Sequence, residues 1–198
     1  MYIAVQNTHE VFEMALFINN TLHDQVSEDK RHTSKLLIPL LDQLLIRNNI
    51  TISDLSFCAV NCGPGPFSTL RSIIASVNGL HLATNIPLIS IDGLEATFLE
   101  FRDNYHENTV VLLNAFNNES YYLIAHGDTI VATGYKKTEL LQQEIAEQFS
   151  AKTVTIVDNK ICSVDTIGRL GYEKFMAQGP ASGYLMPLHL KKHPVELL

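Results

Sequence analysis

Nothing constrains the fold of this chain more than Gly63-Pro64-Gly65-Pro66-Phe67-Ser68-Thr69-Leu70-Arg71. The run before it, Phe57-Cys58-Ala59-Val60, is short and apolar and reads as a buried strand. A helical pattern follows it to about Ala83. Strand, Gly/Pro loop and helix therefore meet within a few residues, a junction expected of an α/β protein. Gly63 and Gly65 are expected to supply positive φ or close backbone approach. Pro66 suits the first helical turn, where its missing N–H has no intrahelical partner to lose. The amides of Phe67, Ser68 and Thr69 then stand at a helix start, which can hold an anion; a tight connection explains the same residues. No Gly-Lys-Ser/Thr follows, so this is not a Walker A loop, and the third glycine of a dinucleotide loop is missing.

Charged residues make up 18% of the 198, and 46% are hydrophobic, which argues against disorder and allows one large domain or two small ones. The net charge of −7 does not suit a protein that grips RNA by itself. Met1 leads straight into a strand-like run, so no leader is expected, and no stretch approaches a membrane span. Cys58, Cys62 and Cys162 have no zinc spacing and leave one cysteine over, so a reducing cytoplasmic setting is expected.

From the start of the chain, Tyr2–Val5, Val11–Ile18 and Leu22–Val26 read as three strands joined by polar turns. A first helix is expected over Thr33–Asn48, with Pro39 in its early turns or at a kink. Its leucines and isoleucines spread over roughly 200° of its circumference, wider than one packing stripe needs. Leu37, Leu41 and Leu44 are therefore candidates for a partner surface, although other elements of the chain could cover them. The second helix carries small residues, Ser72, Ala75, Ser76 and Gly79, on one face that lets another helix approach closely. A strand at Pro87–Ile91 and a helix from Asp92 to about Asn104 follow; Asp92 reads as its cap.

The polar stretch Arg102–Asn108 marks a boundary, giving lobes 1–105 and 106–198. The second half opens like the first, with strands at Thr109–Leu113, Ser120–Ala125 and Thr129–Thr133, which suggests a duplicated unit. A helix at Thr138–Phe149, a strand at Thr153–Val157, an ill-defined helix at Thr166–Met176 and a short run at Tyr184–Leu190 complete the pattern.

The loop resembles the Gly-Pro-Gly-Ser-Phe-Thr-Gly-x-Arg signature of the TsaB (YeaZ) family, with Gly63, Gly65, Phe67 and Arg71 matching and Pro66 and Thr69 departing. Further collinear likeness lies in Met1–Val5, in His32–Leu37 with Pro39–Leu45, and in Ile86–Ala96. The resemblance implies the duplicated two-lobe α/β fold of actin, sugar kinases and Hsp70 chaperones. It also implies an accessory subunit in making tRNA N6-threonylcarbamoyladenosine. Such a subunit binds a TsaD-type catalytic paralogue through its first two helices, is joined by a TsaE-type ATPase, forms a homodimer when alone, and meets tRNA only through the complex. Where the superfamily ends its first strand in a metal-holding Asp, this chain has Gln6. Where the family opens its second half with Asp-Ala-Arg, it has Asn114-Ala115-Phe116, and the C-terminal Pro-x-Tyr-Leu-Arg becomes Pro187-Leu188-His189-Leu190-Lys191.

No catalytic, cofactor or metal set is expected. His189 and His193 are spaced by four but followed by Pro194; His9 and His32 are isolated; Ser68 has no evident base. Cys62 reads as a structural thiol, although a helix start can lower a thiol pKa. Arg71 reads as pairing with a carboxylate. The competing expectation is an ATP-dependent transferase or kinase-like enzyme, which fold analogy favours and Gln6 and Asn114 oppose.

Overall fold

The computed structural model describes residues 1–7, 11–29, 33–102, 107–150, 152–179, 183–188 and 190, with only the backbone of residues 33 and 34. The elements are β1 (Tyr2–Asn7), β2 (Val11–Ile18), β3 (Thr21–Asp29), α1 (Thr33–Arg47), β4 (Cys58–Asn61), α2 (Phe67–Thr84), β5 (Leu88–Ile91) and α3 (Gly93–Phe101). They continue as β6 (Asn108–Asn114), β7 (Glu119–His126), β8 (Thr129–Lys137), α4 (Thr138–Gln148), β9 (Val154–Asp158) and α5 (Val164–Gln178). The chain packs as two compact units, Met1–Gly93 with Cys162–Pro187, and Leu94–Ile161 with Leu188–Leu198. A single cut at 105/106 does not describe this division, because α5 packs on β1, β2, β4 and β5 of the first sheet.

In the first unit the sheet order is β3-β2-β1-β4-β5. β1, β2 and β3 form an antiparallel meander, and β4 and β5 run parallel to β1. Asn19 and Asn20 make the first hairpin because both take left-handed φ, 51° and 61°, at modest cost for Asn. Every residue of β1 is buried, as a central strand covered on both faces must be. On one face Ile3, Val5, Met14, Leu16, Cys58 and Val60 pack with the leucines of α1 and with Leu70, Ile73 and Val77 of α2. Pro39 lies inside α1, in its second turn, on an exposed position.

The other face takes α5, and here two glycines decide the geometry. A Cβ on Gly168 would stand 2.2 Å from the Phe17 ring, and one on Gly171 would stand 2.3 Å from the Ala59 Cβ. The helix can lie this close only without those side chains. Around it Tyr2 stacks on Phe17 and Phe57, with centroids 4.9 and 4.4 Å apart, and Phe57 stacks on Phe175 at 4.5 Å. After α5 the run expected at Tyr184–Leu190 has no regular structure among its described residues. It is tied to α2, where the Asn78 side chain donates to the Leu185 carbonyl (3.0 Å) and accepts from the Leu185 amide (2.8 Å).

The second unit holds a sheet of order β8-β7-β6-β9, with the same meander and with β9 parallel to β6. α3 covers one face, with Leu94 and Phe98 on Val111, Leu113 and Leu123. α4 covers part of the other, with Leu141, Ile145 and Phe149 on Val110, Leu112 and Ile124. The series β1-β2-β3-α1-β4 thus recurs as β6-β7-β8-α4-β9, so the fold is a duplicated α/β fold with one mixed sheet in each unit, as the sequence leads one to expect.

Replacing Gly171 by Ala is expected to lower the unfolding free energy by about 2 kcal/mol through overpacking. The same change at Gly79, where an added Cβ meets nothing within 4 Å, is expected to raise it by up to about 1 kcal/mol. Urea unfolding with an unchanged slope would show both.

Candidate functional site

The signature loop leaves β4 through Asn61. Its Oδ1 accepts the Gly63 amide at 2.9 Å, and the Gly63 carbonyl accepts the Gly93 amide at 2.7 Å. Gly63 takes φ of 112°, which needs a glycine. Gly65 needs neither left-handed φ nor close approach: it is absent from the positive-φ glycines, and an added Cβ would meet nothing within 4 Å. The expectation for Gly65 is corrected accordingly. Pro66 precedes α2 as its N-cap and offers no side-chain acceptor. Phe67 is exposed, and the Arg71 guanidinium lies 4.7 Å from its ring centroid. Among the described residues Arg71 therefore pairs with an aromatic face rather than with a carboxylate.

Behind the loop lies a closed set of neutral hydrogen bonds. Gln6 at the end of β1 is fully buried; its Nε2 donates to the Cys162 carbonyl at 2.7 Å and to the Cys162 Sγ at 3.2 Å. Its Oε1 accepts from the Asn61 Nδ2. Both ends of the Gln6 amide are used, and the set contains no charge for a metal ion to meet. Asn7, next along, is 8% exposed, and its Nδ2 and Oδ1 have no hydrogen-bond partner among the described residues. Sequence reasoning missed it; an amide at a strand end gives no sign that it will be buried.

The cysteines are inert in this setting. All three are buried and free. Burial pushes the Cys58 thiol up to about 12, and burial also raises Cys62 despite its place beside the loop. No group of three or more His, Cys, Asp or Glu side chains suited to a metal ion occurs among the described residues. His9, His32, His189 and His193 lie outside them.

The two helices differ in what they expose. Leu37, Leu41 and Leu44 are 1%, 4% and 0% exposed, so they are core residues and not a partner surface. The wide apolar arc of α1 is divided between the sheet and α2, both from the same chain. Among its described side chains α1 exposes Lys35, Ile38, Pro39, Asp42, Gln43, Ile46 and Arg47. The α2 stripe is open: Ala75 and Gly79 are exposed, and Ser72 and Ser76 are partly so. Ser72 and Ser76 donate their hydroxyls to the Ser68 and Ser72 carbonyls at 3.0 and 2.9 Å, which leaves a low surface with few free donors. Leu82, on the same side, is 70% exposed. The tail bound to Asn78 also meets His81, with Tyr184 edge-on at 5.7 Å.

In the second half the Asn114-Ala115-Phe116 stretch is a turn. Phe116, Asn117 and Asn118 take φ of 62°, 53° and 58°, and the Asn114 Oδ1 accepts the Phe116 amide at 2.8 Å. Among the described residues no helix is long and apolar enough to cross a membrane.

Gln6→Glu is expected to cost about 3 kcal/mol or more, because a buried carboxylate then faces the Cys162 carbonyl without a counter-charge; the loss of thermal stability measures it. Native thiols are expected to resist an alkylating reagent at pH 8. Because the folded-state pKa of Cys58 is raised from 9.0 to about 12, the stability held by its neutral form is complete below pH 9 and falls as pH rises toward 12. Unfolding followed from pH 8 to 12 checks the direction.

Comparison with known proteins places this arrangement. The family model described as "TsaD: tRNA N6-adenosine threonylcarbamoyltransferase" matches residues 20–152, about two thirds of the chain. Curated relatives named "tRNA threonylcarbamoyladenosine biosynthesis protein TsaB" include one from Buchnera aphidicola subsp. Baizongia pistaciae, 22% identical over 70% of this chain and 63% of its own length. Another, from Buchnera aphidicola subsp. Schizaphis graminum, is 30% identical over 57% of this chain and 54% of its own. One from Escherichia coli is 23% identical over 78% and 69%. The chain thus spans under two thirds of the length of the first two of these relatives. Among solved structures, "YeaZ from Pseudomonas aeruginosa" shares the fold, with a TM-score of 0.69, 17% identity and coverage of 93% of this chain and 99% of that one. With the duplicated sheet order, the signature loop and these matches together, the chain belongs to the TsaB (YeaZ) family.

Proposed function

We propose that this protein is a non-catalytic accessory subunit for forming N6-threonylcarbamoyladenosine in tRNA, and that it holds a TsaD-type catalytic paralogue through the exposed side of α2. The observation that carries this reading is membership in a family whose curated members are named for that biosynthesis. Two structural features support it. The loop and strand ends are closed by amides where a nucleotide enzyme needs carboxylates for its metal. The α2 stripe of Ser72, Ala75, Ser76 and Gly79, with Leu82 beside it, lets a partner helix approach closely. Ile38 and Ile46 of α1, 50% and 67% exposed, add apolar area. A net charge of −7 leaves tRNA contact to the other subunits, in the cytoplasm, where a TsaE-type ATPase completes the assembly. In its own company the same face forms a homodimer.

The test is co-elution with the TsaD-type paralogue of the same organism. Gly79→Arg is expected to abolish it while the melting temperature stays within a few degrees, since the position opens to solvent. Leu41→Asp is expected to unfold the protein, because Leu41 is core. Co-elution of the Gly79 variant would reject this face, and failure of the unmodified chain to co-elute would reject the partner.

A second reading, a nucleotide-dependent transferase, is favoured by Asn7 alone, whose buried amide lacks hydrogen-bond partners that a ligand can supply. Calorimetry with ATP and magnesium separates the two, and tight binding by the isolated chain would restore the enzyme.

A further inference from the structure

The two units repeat each other up to a point, and where the repeat stops the second sheet has a face without the helix that covers its counterpart, among the described residues. In the first unit β1 pairs with β4 so that Ile3 meets Cys58 and Val5 meets Val60. In the second, β6 pairs with β9 in the same way, so that Val110 meets Ile156 and Leu112 meets Asp158. Ile156 thus stands where Cys58 stands, and Asp158 where Val60 stands. Cys58 and Val60 are 0% exposed in the core that α2 closes with Ile73, Ile74 and Val77. After β9 the chain runs directly to α5, a helix of the first unit, with no counterpart of α2 and β5. Ile156 is accordingly 50% exposed, and β9 ends its sheet.

The space left is a cleft of about 790 Å³, with Leu112 and Ile156 on its floor and Ile145 and Phe149 of α4 on one wall. Its rim differs from the first unit's in charge. Glu119, Glu139 and Asp158 line it, with several asparagines, and no lysine or arginine lies among its lining residues. Where the first unit has the buried Val60, the second has the exposed carboxylate of Asp158, which accepts from the Asn159 Nδ2 at 2.9 Å, so an occupant carrying positive charge at this position is complementary to the rim.

We propose that this face of the second unit is a docking site for an amphipathic α-helix of a partner protein. The helix lies over β9 as α2 lies over β4. Its apolar stripe rests on Leu112 and Ile156, and its flanking lysines or arginines meet Glu119, Glu139 and Asp158. Helix-in-groove binding uses this combination of apolar floor and charged rim. The site is separate from the α2 stripe, and neither proposal depends on the other.

The test places the photoreactive residue p-benzoylphenylalanine at position 156 of the full chain in its native host and sequences the cross-linked peptide. A segment of another protein with apolar residues at three- and four-residue spacing and flanking lysine or arginine is expected. Its yield should fall about tenfold when Glu139→Lys and Asp158→Lys are combined, at an unchanged melting temperature. Cross-linking to residues 191–198 of this chain, to a second copy, to an acidic or non-helical segment or to a small molecule would overturn the proposal. So would the absence of any product, or a yield indifferent to the charge reversal. A parallel label at position 79 reports on the α2 face alone, so loss of one product with retention of the other tells which docking surface has failed.

Discussion

The close seating of α5 on the first sheet is the contact from which the rest follows. It exists because Gly168 and Gly171 have no side chain to hold the helix away from Phe17 and Ala59. Once the helix is down, Cys162, two positions before its first residue, stands at the end of β1, where its carbonyl and sulfur meet Gln6. Gln6 then fixes Asn61, and Asn61 fixes Gly63. The shape of the signature loop is therefore set by a helix that begins about a hundred residues later. The chemical character of the strand ends follows too: every buried group in that series is neutral and satisfied, so introduced charge has no compensation there.

The same economy of charge runs through the functional reading. At the end of β1 the side-chain amides of Gln6 and Asn61 bind each other and the protein's own backbone. Meanwhile the surface of α2 is low, its serine hydroxyls turned onto their own helix. The first region satisfies its buried amides internally, while the second keeps an exposed, low helix face. That contrast fits a subunit whose work is to be held by, and to hold, a catalytic relative.

Much of this was legible from residue order, and the exceptions have physical causes. The meanders announced themselves through short apolar runs and Asn turns, and α2 through its Pro entry and its three-and-four spacing. The arc of leucines on α1 was legible as well, but its meaning was not. A 200° apolar face is what a helix needs when it packs on a sheet and a neighbouring helix at once, and Leu37, Leu41 and Leu44 serve those two contacts. Gly63 and Gly65 look alike in the sequence, yet only Gly63 takes a conformation reserved for glycine. The placement of α5 could not be read, because what distinguishes it is a pair of absent side chains matched to a distant surface. The cleft over β9 was equally hidden, being the lack of a segment rather than a motif.

The amide clamp between Asn78 and Leu185 has a consequence for how the molecule is made. The two partners are 107 positions apart, and the later one joins the core that α1 and α2 close. A ribosome that has delivered β1 through β5 has therefore not yet delivered α5, which covers one face of the sheet, or the tail that joins the core on the other. Until α5 has been made, the face of β1, β2 and β4 that it covers has no cover of its own. The first unit is thus closed by a segment that follows the whole second sheet in the chain.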